Sequence, residues 1–217
     1  MNRHLFGMVK PSRVYGGLSV SDRRASRRER LLVAGFELFG TAGFHKTTIP
    51  MLCSQSGVTA RHFYEEFESR EAVLRSIYDD LAERAYEIVR EKLRVTGIRV
   101  YDRVLAANRA YYVYLTEDPR RARIYAVECL GVSVAMEQHR LDVRERSIRQ
   151  LTRAQRWVEP EGVPSGLDSR LVAIGLASAA VALLAEWVLA KTKPRVDTMA
   201  HTLTLFWMRT LRLEGGR

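Results

Sequence analysis

The chain has 217 residues, 47% of them hydrophobic, which is enough for one ample core or two modest ones. Its 35 lysines and arginines exceed its 25 acidic residues, and the net charge of +10 favours a polyanionic partner such as DNA, RNA or an acidic membrane surface. Cys53 and Cys129 fall inside apolar helical patterns and lack metal-ligand spacing, so we expect buried free thiols in a reducing, cytoplasmic compartment and no disulfide scaffold.

Residues 1–20 form a basic segment that ends in a stretch rich in glycine and serine. We expect no signal peptide, because charged residues interrupt every apolar stretch of this segment before it reaches the required length. This composition predicts a flexible arm that is attracted to DNA and could lie in the minor groove. Two other interpretations stay open: a solubilising tail, or translation that begins at Met8.

Residues 21–68 carry the punctuation of a helix-turn-helix. Thr48 can cap a helix whose first turn accepts Pro50, because proline there removes an amide that has no partner within the helix. Gly57 fits the sharp turn, and Thr59 can cap the short helix 60–64. The pattern predicts two short helices joined at Gly57.

The short helix has the composition of a DNA-recognition helix. Phe63 can face the core, which leaves Ala60, Arg61, His62 and Tyr64 on the other sides. Arg61 is the residue that we expect to read a guanine, because its guanidinium can donate to both major-groove acceptors of that base.

Several motifs together resemble TetR-type (TetR/AcrR) transcriptional regulators. They are RERLLVAGFELFG at 28–40, AGF at 42–44, the Thr47-Thr48 pair, SGVTARHFYEEF at 56–67 and SREAVL at 69–74. The resemblance implies an all-α homodimer with an N-terminal three-helix head, which contains the helix-turn-helix, and a C-terminal bundle of about six helices. It also implies a repressor that leaves a near-palindromic operator on double-stranded DNA when a small-molecule effector binds.

The resemblance and the charge pattern together give the expected DNA-contacting residues. They are Thr47, Thr48, Thr59, Ala60, Arg61, His62, Tyr64 and Arg70, with Arg24, Arg27 and Arg28 added from the basic stretch that follows residue 20. Glu65, Glu66 and Glu68 depart from the family pattern, which often has neutral or basic residues here and a histidine at position 66. Three carboxylates at this place are expected to repel phosphates.

Residues 69–217 are predicted to be the helical domain for effector binding and dimerisation. Six helical patterns follow the cap at Ser69, which gives nine helices in all and no strand. They cover 69–96, 101–116, 120–130, a segment from Gly131 to Trp157, 171–190 and a last helix that includes 199–211, with a loop at 159–167.

The apolar run 171–190 approaches the length of a membrane span. Glu186 interrupts it, and its many alanines and its glycine suit close helix contacts better than lipid. We therefore expect no membrane association. By the resemblance, this helix and the last one pair with the same two helices of a second subunit, which makes a homodimer.

Aromatic residues with polar tips are the expected lining of an effector site between the helices. Glu186, in apolar surroundings along the sequence, could fix a polar group of the effector. The aromatic candidates are Tyr101, Tyr111, Tyr112, Tyr125, Trp157 and Trp187. The alternative is that each of these side chains is plain core.

The sequence favours a regulator over an enzyme. No HExxH, CxxC, GxSxG, P-loop or dinucleotide motif occurs, and the histidines are scattered, so we predict no catalytic residue, no metal site and no cofactor. Two alternatives remain: a DNA-binding dimer without an effector, and an all-helical enzyme whose catalytic groups meet only in the folded chain.

Overall fold

The computed structural model describes residues 20–155 and 166–211, and these ranges contain nine α-helices and no strand, which confirms the predicted fold class. Most of the predicted arm, Trp157 and most of the predicted 159–167 loop lie outside the described residues. The helices are α1 (Val20–Thr41), α2 (Ile49–Ser56), α3 (Ala60–Glu66), α4 (Arg70–Leu93), α5 (Val100–Glu117), α6 (Pro119–Arg123), α7 (Val134–Gln155), α8 (Ser169–Leu189) and α9 (Val196–Thr210).

The head is built from α1, α2 and α3, with the caps that the sequence predicts. Thr48 accepts a hydrogen bond from Met51 N at 3.4 Å and starts α2, and Thr59 accepts one from His62 N and starts α3. Gly57 has a φ of 63°, in the left-handed region that favours glycine, at the turn between them. The helix-turn-helix is therefore confirmed residue by residue.

The long helix α1 connects the head to the rest of the chain. It packs against α2 and α3 on one side and against α4 and α6 on the other. Gly40 makes the contact with α6 possible, because a Cβ at this position would lie 2.5 Å from Cβ of Arg120. The α1 backbone at Gly40 is therefore in close contact with Arg120 of α6.

The body packs α4 and α9 against α5, and α7 lies against both α4 and α8. The helix predicted over 120–130 is only partly regular, and in this the prediction is wrong. After α6 the chain widens into one turn of π-helix, Ile124–Glu128, here called the π-turn. Such turns are rare, because their hydrogen-bond geometry is poorer than that of an α-helix, and they are frequent at functional sites.

Helix α8 is long and apolar enough to cross a membrane by length and composition, and only 22% of its most apolar window is buried. It packs against α6, α7, α9 and the π-turn. A single such helix is weak evidence for a membrane span, since core helices of soluble proteins have the same composition. One side of it is exposed as a regular stripe, here called the α8 stripe: Leu171, Gly175, Ser178, Ala182, Glu186 and Leu189.

Candidate nucleic-acid interface and effector cavity

The outer face of α3 is exposed to solvent. Phe63 is fully buried and anchors the helix, whereas the Tyr64 residue is 60% exposed and the Arg61 side chain is 88% exposed. Ala60 and Thr59 are also exposed at the N-terminal end of the helix. The predicted contact residues Thr59, Ala60, Arg61 and Tyr64 therefore share one accessible surface.

Two further predicted residues lie beside that surface. Thr48 is exposed at the start of α2. The His62 ring is held by the Thr59 hydroxyl, with 3.1 Å between Oγ1 and Nδ1, which fixes the direction of the imidazole. Lys46 is exposed two residues before Thr48 and was missed, because no motif or period singles out a lysine in a loop.

The acidic run after Tyr64 does not face outward as a group. The Glu66 side chain is only 2% exposed, and its oxygens lie 3.2 Å from Arg24 Nε and 3.3 Å from an Arg27 terminal nitrogen. Glu65 lies 3.5 Å from Arg61 Nε. The expectation that all three carboxylates repel phosphate is therefore wrong for Glu66, since its charge is turned inward and paired.

The arginines near the start of α1 hold the C-terminal end of α3. Arg24 donates to the Glu65 carbonyl at 3.2 Å and Arg28 donates to the Glu66 carbonyl at 3.1 Å. Cations at a helix C-terminus satisfy carbonyls that have no partner within the helix. Arg24, Arg27 and Arg28, predicted as DNA contacts, thus first serve to fix α3 on α1.

Two other predicted contact residues are engaged inside the protein. Thr47 is fully buried, and its hydroxyl donates to the Gly43 carbonyl at 2.8 Å. Arg70 donates to the carbonyls of Phe44 at 3.1 Å, of His45 and of Thr47, and its guanidinium lies 4.5 Å from the Phe44 ring centroid. Both residues shape the 41–47 loop, so neither offers its side chain to DNA here.

Arg30 has a structural role that sequence reasoning missed. It donates to the carbonyls of Ser56 at 3.0 Å and of Gly57 at 3.3 Å, and so ties α1 to the turn of the helix-turn-helix. Ser56 and Gly57 lie 26 and 27 residues after Arg30 in the sequence, so no local pattern could have indicated these contacts.

The body contains a largely apolar cavity of about 470 Å³ between α4, α5, α7, α8 and the π-turn. Of the predicted effector residues, Tyr111 and Tyr125 line it. Tyr78 and Tyr86 on α4 also line it and were missed, because they lie in a helical pattern that sequence alone reads as core.

The remaining predicted effector residues lie elsewhere. Tyr112 is fully buried and donates from its hydroxyl to the Ala180 carbonyl at 3.2 Å, while Tyr101 packs edge-on to His201. Trp187 is covered by Lys193, whose Nζ lies 3.9 Å from the indole centroid. Glu186 is exposed on the α8 stripe instead of being buried in apolar surroundings, so the interpretation of its carboxylate as a buried group is wrong for this chain alone.

The tyrosines of the cavity form a stacked and hydrogen-bonded set. The rings of Tyr78 and Tyr125 are stacked with centroids 5.2 Å apart, and Tyr125 is hydrogen-bonded to Tyr111. Burial raises the pKa of Tyr125 to about 12 and also raises that of Tyr78. Their hydroxyls are therefore neutral at physiological pH and serve as hydrogen-bonding groups.

One end of the cavity is cationic. Arg140 and Arg144 on α7 both line it, with the Glu137 carboxylate 2.6 Å from a terminal nitrogen of Arg140. Within the described residues, Nε of Arg140 is buried without a hydrogen-bond partner. An apolar chamber with arginines at one end suits a ligand that has an apolar body and an anionic group.

The family follows from the head. Residues 31–77 match the sequence model for bacterial regulatory proteins of the tetR family, which runs from α1 through the helix-turn-helix into α4. The head of the chain is therefore of the tetR-family type. Among curated proteins, the uncharacterized HTH-type transcriptional regulator YdgC of Bacillus subtilis is 30% identical to this chain over 100 residues. That match covers 45% of this chain and 51% of YdgC, so the chain spans about half the length of its curated relative.

Solved TetR-family structures share the fold over most of the chain. A chain from Syntrophomonas wolfei described as a TetR-family transcriptional regulator has a TM-score of 0.73 at 20% identity, covering 89% of this chain and 99% of its own. The regulator FadR of Bacillus subtilis, solved with stearoyl-CoA, has a TM-score of 0.71 at 15% identity, covering 87% and 98%. The fatty acid degradation regulator FadR of Bacillus halodurans has a TM-score of 0.73 at 16% identity, covering 86% of this chain and 96% of its own.

The two cysteines of the chain are expected to differ in reactivity. Burial raises the pKa of the Cys129 thiol to about 11, so that the reactive thiolate is scarce at pH 7.5, while Cys53 is half-buried. We expect iodoacetamide to label Cys53 alone in the native protein and both thiols after unfolding, as measured by peptide mass spectrometry. Labelling of Cys129 at the same rate as Cys53 in the native protein would contradict the burial.

Proposed function

We propose that the protein is a cytoplasmic, DNA-binding transcriptional repressor that acts as a homodimer and leaves a near-palindromic operator when a small amphipathic anion fills the body cavity. The exposed face of α3 is the observation that carries this proposal. It presents a threonine, an alanine, an arginine and a tyrosine on a helix that is fixed from beneath by Phe63. Those side chains suit base edges and phosphates of the major groove.

Residues for the DNA contact are proposed from this exposure. Arg61, Ala60 and Thr59 would read bases, while Tyr64 and Thr48 would meet phosphates, with Lys46 added beside them. Thr47, Arg27, Arg28 and Arg70 are left out, since their side chains are engaged inside the protein. Selecting sites from random duplex DNA at near-physiological salt tests the proposal. Two half-sites related by a near-twofold would support it, and the absence of any enriched motif would refute it.

Arg61→Ala is expected to relax the preference at one position of each half-site. A bidentate arginine on guanine contributes about 1–3 kcal/mol of discrimination, whereas its loss removes little of the phosphate contact. The measurement compares binding of the wild type and the variant to the selected operator and to each single-base substitution of it. Equal losses of affinity on operator and random DNA would assign Arg61 to the phosphates instead.

The α8 stripe supports the homodimer. Its members recur every three or four residues, and around Gly175 a Cβ would meet nothing within 4 Å, so the small residues leave room for a second helix. Leu171 is 63% and Leu189 69% exposed at the two ends of the stripe, and Phe206 on α9 is 48% exposed. Exposed apolar side chains in such a row favour a partner helix.

Ala182→Arg is expected to dissociate the dimer, because it places a charge and a long side chain in the middle of the α8 stripe. Sedimentation equilibrium should show a monomer at concentrations where the wild type is a dimer. Ala135→Arg on α7, also at an exposed alanine, is the matched control and should leave the dimer intact. A dimer in both variants would place the interface elsewhere.

The effector class rests on the cavity and on one solved relative. The cavity is apolar along α4, α5 and α8 and cationic at Arg140 and Arg144, and the FadR of Bacillus subtilis was solved with stearoyl-CoA. We therefore expect a fatty acyl thioester of coenzyme A, or a ligand of like amphipathic character, to bind here. Titration of stearoyl-CoA against the protein–operator complex tests this: release supports it, while unchanged DNA binding favours an effector-independent dimer.

An enzyme remains the second class of function. Among the described residues, no group of three or more His, Cys, Asp and Glu side chains could hold a metal ion. Burial raises the pKa values of Tyr78 and Tyr125 in the cavity wall and of the Cys129 thiol on the π-turn's C-terminal side, which leaves them protonated and poorly suited as nucleophiles at neutral pH. Turnover of stearoyl-CoA in the binding assay would favour the enzyme, and its recovery unchanged would favour the regulator.

A further inference from the structure

A carboxylate of the π-turn is hydrogen-bonded to the head. Oε2 of Glu128 accepts a hydrogen bond from the Phe44 backbone N–H at 2.7 Å, and Oε1 accepts one from Arg123 Nε at 2.8 Å. Arg123 in turn donates to the Thr41 carbonyl at 2.8 Å. The Glu128 side chain is only 11% exposed, so its own two hydrogen bonds are partly shielded from water.

The 41–47 loop is shaped to receive this carboxylate. Gly43 has a φ of 94°, and a Cβ on it would lie 3.0 Å from Glu128 Oε2. A glycine is therefore required both for the backbone angle and for the close approach. The carboxylate thereby satisfies a backbone amide just beyond the end of α1.

The same π-turn forms part of the cavity wall. Tyr125, three residues before Glu128, lines the cavity and stacks on Tyr78 of α4. A ligand that enters the cavity meets the Tyr125 ring, and both residues belong to one turn of five residues. A displacement of the Tyr125 ring therefore acts on the same short turn of backbone that carries Glu128.

The C-terminal end of the 41–47 loop continues directly into the helix-turn-helix. Arg70 holds the Phe44 and Thr47 carbonyls, and the next residue, Thr48, is the N-cap of α2. A shift of the Phe44 amide is therefore passed over four residues to the first turn of the helix-turn-helix. Loop and cap form one connected set of hydrogen bonds.

We propose that Glu128 is the positioning residue that couples the occupancy of the cavity to the head. When the cavity is empty, Glu128 holds Phe44 and Arg123 holds Thr41, which keeps α2 and α3 in their DNA-binding arrangement. Displacement of Tyr125 by a ligand rewinds the π-turn and withdraws the carboxylate from Phe44. The proposal rests on the proposed function for its biological meaning, while the coupling itself is a property of the chain alone.

A double-mutant cycle on the full chain tests the coupling without a ligand. Tyr125→Ala disturbs the cavity wall and Glu128→Ala removes the connection, and the readout is hydrogen exchange of the amides from 41 to 48. We expect Glu128→Ala to speed exchange at Phe44 by about tenfold, the effect of one charge-assisted hydrogen bond. Tyr125→Ala should speed it about fivefold in the wild type and less than twofold in the Glu128→Ala background.

Two further variants keep the result interpretable. Glu128→Gln retains a neutral acceptor for the Phe44 amide and should restore most of the protection, which a merely misfolded head would not do. Glu145→Gln, which loses an ion pair with Arg170 at 2.9 Å far along α7, should leave the exchange unchanged. An equal effect of Tyr125→Ala in both backgrounds, or none in the wild type, overturns the proposal.

Operator binding separates this inference from the proposed function. With stearoyl-CoA as probe, the wild type should lose at least tenfold in DNA affinity, and Glu128→Ala less than threefold, at equal stearoyl-CoA affinity. A wild type that binds no DNA refutes the proposed function, and the exchange cycle still decides the role of Glu128. A Glu128→Ala protein that responds to stearoyl-CoA as fully as the wild type refutes the coupling alone.

Discussion

Arg70→Met is expected to lower the free energy of unfolding by about 2–4 kcal/mol and to abolish operator binding at near-physiological salt. The guanidinium donates to the Phe44, His45 and Thr47 carbonyls and lies over the Phe44 ring, and methionine replaces none of these bonds. The 41–47 loop would lose its support from α4, and the cap of α2 at Thr48 follows that loop directly. Thermal unfolding followed by circular dichroism should show a midpoint lower by roughly 5–10 °C.

Arg75→Met is the matched control on the same helix. Arg75 pairs with Glu71 one turn away, a part-buried contact within a single helix that contributes about half a kcal/mol. It should leave both the midpoint and the operator affinity near those of the wild type. If the two variants lost the same stability, the effect would come from the charge on α4 and the loop would not depend on Arg70.

The parts of the head that could be predicted are those with local causes. A cap is made by a side chain and an amide three residues away, so Thr48, Thr59 and Ser69 indicated the starts of α2, α3 and α4 directly. The turn at Gly57 is equally local, since its left-handed φ is a property of one residue. Those features fixed the place of the recognition helix before any tertiary contact was known.

What could not be predicted depends on contacts between distant residues. The Glu66 carboxylate looks like a repulsive surface charge in sequence, yet its partners Arg24 and Arg27 lie 42 and 39 residues upstream. Arg70 was expected to contact DNA because it matches such a position in the family that the sequence resembles, and only the fold shows the three carbonyls to which it donates. The sequence shows which charge a side chain carries, but it does not show which partner that side chain faces in the fold.

The cavity shows the same limit in the body. Tyrosines at helical spacing are alike in sequence, and the structure separates Tyr111 and Tyr125 in the cavity wall from Tyr112 in the core. Successive side chains on a helix point about 100° apart. The way the helix packs therefore decides which of two neighbouring tyrosines faces the cavity. Glu186 was expected to be buried because its sequence neighbours are apolar. It faces outward on the α8 stripe, because its position around the helix decides its direction and the polarity of its sequence neighbours does not.

Glu66→Gln distinguishes two opposite roles for the acidic run. If Glu66 repelled phosphates, removal of its charge would tighten operator binding. The structure predicts the reverse, because the carboxylate holds Arg24 and Arg27 and thereby fixes the end of α3 against α1. We expect operator affinity to fall by about five- to thirtyfold, the equivalent of about 1–2 kcal/mol. The loss is smaller than for a fully buried pair, because the Arg24 side chain is 64% exposed and can return to water.

Glu68→Gln provides the comparison, since Glu68 is exposed and its removal changes the net charge by the same amount. The two variants should move in opposite directions: Glu68→Gln binds the operator as tightly as the wild type or more tightly, and Glu66→Gln binds it more weakly. Fluorescence anisotropy with a labelled operator duplex measures both at several salt concentrations, because simple repulsion fades as salt screens it. If Glu66→Gln also bound more tightly, the ion pairs with Arg24 and Arg27 would be dispensable for the geometry of the head, and the acidic run would act on DNA through its charge alone.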